Sequence, residues 1–314
     1  MRLSTSSSKG AIDQRVLMAA GAFVVLTLAY GFVSRKIDKA PRDETWFWAN
    51  KLSWHADKDI VFAGDSRVNR GVSPLDIKES FPDARVGNFA FSGQGYTEDY
   101  LKYIPSLIDP NSKYKLIVLG VSPRSLTKTA QSGGDFENYH SKKANELWML
   151  DKLSAPNFFL TSENPVMLLG RAVSKSAPVY HQWHTPEGWQ PGTRDPLDPS
   201  SSVSEYKELF KKSKVDPVNS KRLVKYVGEW VKAGYRVALF RPPIAQPVRD
   251  VEDTLSGFDE TALRGEMEGV GAVWLDSPPS GYITFDGNHL DKPAAEKFSK
   301  LLGQILKISI PSLP

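Results

Sequence analysis

The 314-residue chain has a composition typical of a folded protein, with 40% hydrophobic and 24% charged residues. It contains no cysteine, which excludes disulfides, zinc–thiolate sites and cysteine nucleophiles. The net charge of +4 belongs to residues 1–42, which carry seven basic and two acidic residues and leave 33 basic and 34 acidic ones elsewhere. A nearly neutral body offers no electrostatic surface for nucleic acid, so we expect no nucleic-acid partner.

The N-terminal 57 residues are predicted to lie outside the main domain. Residues 1–15 are serine-rich and are predicted to be a disordered tail. Residues 16–33 are an uncharged apolar run, which as a helix would extend about 27 Å and just cross a hydrocarbon core of ~30 Å. We therefore predict a transmembrane helix; the alternative is a cleaved signal peptide, although the run is long for one and no Ala-x-Ala site follows. Residues 34–57 are predicted to be a linker whose aromatic side chains either lie at the membrane interface or pack on the domain.

Short apolar runs alternate with helical patterns from residue 58 onward. Strands are predicted at 60–63, 85–89, 115–121, 235–240 and 271–275, and helices at 97–108, 220–232, 259–268 and after 291. This alternation predicts an α/β domain over 58–310, a three-layer αβα sandwich with a parallel sheet of about five strands. Residues 130–215 break the pattern and are interpreted as an insertion over the carboxyl edge of the sheet, partly helical around 144–153.

A candidate nucleophile follows the first predicted strand, in the segment Gly64-Asp65-Ser66. The glycine permits a sharp turn there, which would present the hydroxyl and the N–H of Ser66 at the carboxyl edge of the sheet. The structural alternative is an ordinary helix N-cap after a strand.

Two further polar segments are predicted at the same edge. Asp286 and His289 lie three residues apart on a loop, so His289 can accept the proton of Ser66 while Asp286 orients the imidazole. Gly93 follows the second strand, and its N–H together with that of Ser66 would make two donors for an oxyanion. The alternatives are a surface turn for the first segment and an ordinary glycine-rich loop for the second.

These three segments, in this order on a βα scaffold, resemble the SGNH/GDSL esterase superfamily over about residues 57–307. The resemblance implies an SGNH-type fold, with Ser66 as the nucleophile, Gly93 as the oxyanion glycine and Asp286 and His289 as the other triad members. Asn88 begins the second of the matching segments and is a candidate substrate-binding residue.

The chain departs from that family after the third strand. The family has Gly-x-Asn-Asp there, with the asparagine as an oxyanion donor, whereas this chain has Gly120-Val121-Ser122-Pro123-Arg124. Ser122 and Arg124 are the candidates to replace the missing side chain, the loss of which would slow hydrolysis by about 10²–10³-fold.

The predicted N-terminal span and the missing asparagine resemble a membrane-tethered branch of the superfamily that includes the D-alanyl-lipoteichoic-acid transfer and alginate O-acetylation proteins. That resemblance implies a single-pass protein with its domain outside the cytoplasmic membrane. It also implies a serine esterase or O-acyltransferase that acts without a cofactor on a cell-envelope or exported polysaccharide, beside a multi-span membrane acyltransferase. The alternative is a weakly active or inactive module that binds the polymer or a partner.

Other polar and aromatic residues have weaker signals. Arg241 follows the fourth strand and could bind an anionic sugar or a polar acyl group, with a structural turn as the alternative. Trp183 and Trp189 could stack on sugar rings or simply pack in the domain. His181 and His184 lack further ligands, so no metal site is expected.

Overall fold

The computed structural model describes residues 45–141, 179–276 and 281–310, with the isolated residues 18 and 25. The predicted tail, the predicted transmembrane helix apart from those two residues, and the predicted helix around 144–153 lie outside the described residues. Within the described residues, no helix has both the length and the apolar character needed to span a bilayer.

A parallel five-stranded sheet forms the centre of the domain, with its strands in the order 86–88, 60–64, 116–120, 236–240 and 273–274. Every predicted strand is confirmed, with ends within two residues of the predicted ones. The strands are β1 (Ile60–Gly64), β2 (Val86–Asn88), β3 (Leu116–Gly120), β6 (Arg236–Phe240) and β7 (Val273–Trp274). All five residues of β1 and of β3 are buried, which explains why these strands are continuous apolar runs in the sequence.

Helices cover both faces of the sheet, as predicted. They are α1 (Thr45–Leu52), α2 (Ser66–Gly71), α3 (Pro74–Ile77), α4 (Glu98–Tyr103), α5 (Asp135–His140), α6 (Ser201–Lys212), α7 (Pro217–Lys232), α8 (Gln246–Leu255), α9 (Glu260–Gly269) and α10 (Lys292–Ser309). The predicted helix over 97–108 changes to a 3₁₀ turn at Ile104–Leu107, because Pro105 has no N–H for an α-helical bond.

Alternate residues of each strand pack into two separate apolar cores. Val61 and Ile117 belong to the core beneath α4, α7 and α9, whereas Phe62 and Val118 belong to the core beneath α3 and α10. Because successive side chains of a strand point to opposite faces, this division establishes an αβα arrangement.

Three aromatic residues shortly before β1 pack on the domain. Phe47 and Trp48 in α1 are buried, and so is Trp54. Lys51 is fully buried with them, and its Nζ donates hydrogen bonds to Asn69 Oδ1 at 2.7 Å and to the carbonyl oxygen of Ala90 at 2.5 Å. This helix therefore belongs to the folded domain.

The described part of the predicted insertion contains an antiparallel hairpin, β4 (Val179–Gln182) and β5 (Gly192–Asp195), followed by α6. The loop of the hairpin contacts β2, because the carbonyl oxygen of Glu187 accepts a hydrogen bond from the N–H of Asn88 at 2.8 Å. The segment after β5 contacts the loop that carries His289: Asp198 N–H donates to the carbonyl oxygen of Phe285 at 3.0 Å. The insertion thus contacts segments that lie at the carboxyl edge of the sheet.

Candidate active site

Ser66 lies at the first turn after β1. Gly64 has φ +151°, and a side chain there would come within 2.7 Å of Val68 Cγ2 and 2.9 Å of the carbonyl oxygen of Gly120. Asp65 caps α2 by accepting a hydrogen bond from the N–H of Arg67 at 2.9 Å, so the capping alternative is correct for Asp65. Ser66 is half-buried, and its N–H has no acceptor among the described residues.

A hydrogen-bonded chain connects Ser66 to a carboxylate more than two hundred residues away in the sequence. His289 Nε2 lies 2.8 Å from Ser66 Oγ, and His289 Nδ1 lies 2.7 Å from Asp286 Oδ2. The other oxygen of Asp286 accepts the N–H groups of Asn288 at 2.9 Å and of His289 at 2.8 Å. The structure therefore brings together the three residues that the sequence suggested as a triad.

The loop of Asp286 and His289 is held closed at its base. The N–H of Phe285 donates to the carbonyl oxygen of His289 at 3.0 Å, and Thr284 and Leu290 form an antiparallel bridge. Gly287, at the tip, has φ +88°, and a side chain there would lie 2.3 Å from the carbonyl oxygen of Pro199. The insertion therefore packs tightly against this loop and restricts where the imidazole can lie.

The environment separates the protonation states of the pair. Burial alone would raise the pKa of Asp286, but His289 and the two N–H donors outweigh it and lower that pKa to about 2. Burial lowers the pKa of His289, as do Arg70 and Arg67, against the opposing effect of Asp286. At neutral pH the carboxylate is thus ionised and the imidazole neutral, which is the state required of a general base.

Gly93 lies on a segment that runs beside the end of β1. The N–H of Phe89 donates to Phe62 O at 2.7 Å, and that of Phe91 donates to Gly64 O at 3.1 Å. Two residues further on, Gly93 is half-buried with φ +68°, and its N–H has no acceptor in the part of the chain that the structure describes. This backbone donor is available to a ligand.

Asn88 does not bind substrate, contrary to the expectation from sequence. Its side chain is fully buried, donates to the carbonyl oxygens of Val68 and Val72 at 2.8 Å each, and accepts the N–H of Ala90 at 3.1 Å. Its amide nitrogen therefore holds the end of β2 against α2 and the residue after it, and its amide oxygen holds the loop that follows β2.

Of the two residues suggested after β3, the structure excludes Ser122 and retains Arg124. Ser122 is fully buried, and its hydroxyl donates to Asp65 Oδ2 at 2.5 Å. Arg124 is half-buried, and its Nη2 lies 3.9 Å from where a Cβ on Gly93 would be. No side chain or carbonyl group within the described ranges accepts from its guanidinium. As far as these ranges extend, Arg124 lies beside Gly93 with its donors available.

The candidate role of Arg241 in binding an anionic sugar or a polar acyl group was also wrong. It is 2% exposed, and its guanidinium pairs with Glu252 at 2.9 Å, Asp253 at 2.7 Å and Glu260 at 2.8 Å. Three carboxylates already accept its hydrogen bonds, so it has no role in binding an anionic ligand.

The two tryptophans of the hairpin region differ. Trp189 is buried, and its indole N–H donates to the carbonyl oxygen of Arg70 at 2.8 Å, which is the packing alternative. Trp183 is 45% exposed, and its ring lies 6.4 Å from that of His181.

Burial, with the nearby charges of Lys51 and Arg70, lowers the pKa of His184 to about 4. Among the described residues, no group of three or more metal-ligating side chains occurs.

Sequence reasoning missed the residues next to the triad. Arg67 and Asn288 directly follow Ser66 and Gly287 in the chain, and their side chains meet: Arg67 Nε donates to Asn288 Oδ1 at 2.7 Å. The only signal in the sequence was that each is the direct neighbour of a candidate catalytic residue: Arg67 follows Ser66, and Asn288 precedes His289.

No protein-family model and no curated protein matches this chain. Its function is therefore inferred from the geometry of the site.

Proposed function

We propose that this protein is a serine esterase or O-acyltransferase that forms an acyl ester on Ser66. The hydrogen-bonded chain Ser66–His289–Asp286 carries the proposal, with 2.8 Å between hydroxyl and imidazole and 2.7 Å between imidazole and carboxylate. This is the arrangement by which a neutral imidazole activates a serine hydroxyl in enzymes of unrelated folds.

In the proposed reaction, Ser66 Oγ attacks the ester carbonyl carbon while His289 Nε2 takes the hydroxyl proton. Asp286 stabilises the resulting imidazolium. The N–H groups of Ser66 and Gly93, with the guanidinium of Arg124, stabilise the oxyanion. Collapse of the intermediate expels the alcohol, which takes the proton from His289 and leaves the acyl group on Ser66.

The acceptor then decides between hydrolysis and transfer. Water, deprotonated by His289, releases the free acid, whereas a sugar hydroxyl activated in the same way becomes the new ester. Both outcomes restore the Ser66 hydroxyl, and every proton is carried by His289.

The proposed substrate is an O-acylated cell-envelope or exported polysaccharide. Trp183, directly after β4, offers an exposed aromatic face of the kind that stacks on sugar rings, and the same hairpin contacts the loop that carries His289. The ring of Tyr180 in that hairpin lies 6.5 Å from the ring of Phe285, which stacks at 5.6 Å on His289. The resemblance to the membrane-tethered SGNH branch supports the same substrate, a membrane anchor at 16–33 and a multi-span acyltransferase as the partner.

A fluorophosphonate probe tests the proposal directly. We expect full-length protein to form one adduct, located at Ser66 by peptide mass spectrometry. Ser66→Ala and His289→Gln should abolish the adduct. The exposed-serine control Ser106→Ala should retain it. Folded protein without an adduct on Ser66 would overturn the proposal and leave the binding module.

A further inference from the structure

The contact between Arg67 and Asn288 determines how the asparagine amide is oriented. Arg67 is 3% exposed, and its Nη2 also pairs with Glu252 Oε1 at 2.5 Å. A guanidinium has five N–H donors and no acceptor. The atom of Asn288 that lies 2.7 Å from Arg67 Nε must therefore be the amide oxygen.

With the oxygen held in this way, the amide nitrogen of Asn288 faces the imidazole. Asn288 Nδ2 lies 3.1 Å from His289 Nε2. The amide nitrogen carries only donors, so Nε2 must be the acceptor and must lack a proton. Its single lone pair is then shared between this N–H at 3.1 Å and the hydroxyl of Ser66 at 2.8 Å. The proton of the neutral ring must then be on Nδ1, where it points to Asp286 Oδ2.

We propose that Arg67 and Asn288 are positioning residues: together they hold His289 in the Nδ1–H tautomer, with Nε2 unprotonated and directed at Ser66. Their catalytic significance rests on the proposed function, whereas the tautomer itself does not. Arg67 acts on the tautomer through Asn288, in addition to the direct effect of its charge on the pKa of His289. Asn288 acts on the nitrogen that would accept the serine proton.

This arrangement has a consequence for the pKa of the imidazole. A hydrogen bond donated to the lone pair of Nε2 is possible only while that nitrogen is unprotonated, so it favours the neutral ring. The charged groups that act on His289 are Asp286, in its own loop, and Arg67 and Arg70, from α2. Removing the amide without changing any of these charges should raise the pKa.

Nitrogen NMR of full-length protein labelled with ¹⁵N in the histidine rings separates these effects. We expect His289 of the unaltered protein to show a protonated Nδ1 and an unprotonated Nε2 at neutral pH. In Asn288→Leu, which changes no charge, the titration midpoint of His289 should rise by about 0.5–1 pH unit. The acidic limb of a kcat/KM profile should move upward by the same amount, because it follows the same protonation.

Two arginine variants provide the matched comparison, because each removes one guanidinium from Glu252. Arg67→Met raises the midpoint through the loss of its charge alone, so the tautomer preference is the test: it should weaken in Arg67→Met and stay unchanged in Arg241→Met, which leaves Asn288 untouched. If Arg67→Met does not fold, the titration midpoint of His289 in Asn288→Leu tests the inference by itself.

An Nε2–H tautomer in the unaltered protein, or an unchanged midpoint in Asn288→Leu, would overturn the inference. A protein with the expected spectra but no activity on esters would instead remove the proposed function and leave the inference intact.

Discussion

Two sites in this domain pair a carboxylate with nitrogen-bearing side chains, and they differ in whether one of the nitrogens can still accept a proton. In the interior, Glu252 lies between Arg67 and Arg241, with one carboxylate oxygen on each guanidinium. At the carboxyl edge of the sheet, Asp286 holds only one nitrogen of His289, and the second nitrogen faces a half-buried hydroxyl. The guanidinium groups of the first site have no lone pair that could accept a proton. In the second site, Nε2 of His289 has a lone pair that faces the hydroxyl proton of Ser66.

Burial and charge alone therefore do not identify a reactive group here. Burial opposes the charged form of both Arg241 and Asp286, and in each case oppositely charged or hydrogen-bonding partners outweigh it. Arg241 is buried and already paired with three carboxylates, and so its position after a strand of the sheet was a misleading signal. The difference predicts that changes at the edge alter activity, whereas changes in the interior alter stability.

Replacing Asp286 should produce the largest effect of the three changes considered. Asp286→Asn is expected to reduce kcat/KM on an acetyl ester by up to about 10⁴-fold, because the amide favours the wrong imidazole tautomer. Stopped-flow or steady-state ester hydrolysis measures this. Activity equal to that of the unaltered protein would show that Asp286 does not orient the base.

Asp286→Asn should also change how the stability of the protein depends on pH in acid. The pKa of Asp286 falls from its ordinary value of 3.8 to about 2 in the folded protein, so its ionised form contributes stability above about pH 4. That contribution is lost as the pH falls through 2. Asp286→Asn should therefore lose less stability than the unaltered protein between pH 4 and pH 2, as measured by urea unfolding at each pH.

In the interior, Glu252→Ala should lower the free energy of unfolding by about 3–5 kcal/mol, because it leaves two buried guanidinium groups without their shared carboxylate. Urea unfolding at pH 7 measures this change. Asp253→Ala is the matched control, since Asp253 pairs with the same Arg241 but its side chain is 52% exposed. That variant should cost no more than about 1 kcal/mol. Similar losses in the two variants would contradict the contrast between closed interior and exposed pairs.

Arg124→Gln should have the smallest effect and tests the third proposed oxyanion donor. We expect kcat on a neutral acetyl ester to fall by about 10²–10³-fold, with KM nearly unchanged, because the charge acts on the transition state. Lys128→Gln, a nearby surface charge change in the same loop region, should leave both constants unaltered. A change confined to KM would assign Arg124 to substrate binding instead.

Much of the fold could be predicted from local patterns. All five strands of the parallel sheet were found because each is a short apolar run between helical patterns, and the sheet buries both of its faces. Strand ends and the 3₁₀ turn at Ile104–Leu107 were less accurate, since they depend on hydrogen bonds at the ends of elements.

The site could be predicted only in part. Ser66, Asp286 and His289 were recognised because each follows a strand of one sheet, and the carboxyl ends of parallel strands share an edge. Asn88 ends one strand of the same sheet and Ser122 and Arg241 follow two others, yet all three were misassigned. Position along the chain does not reveal which way a side chain points or what it already binds.

Sequence alone determined which segments would meet at that edge, because apolar periodicity specifies parallel strands and parallel strands align their carboxyl ends. Only the tertiary structure decided which polar groups remain available there. Asn88 donates to a carbonyl oxygen of α2, Ser122 donates to Asp65, and Arg241 pairs with three carboxylates, whereas Ser66 and His289 face one another. Such pairing depends on side chains that are distant in sequence, such as Arg67 and Asn288, and so no local pattern encodes it.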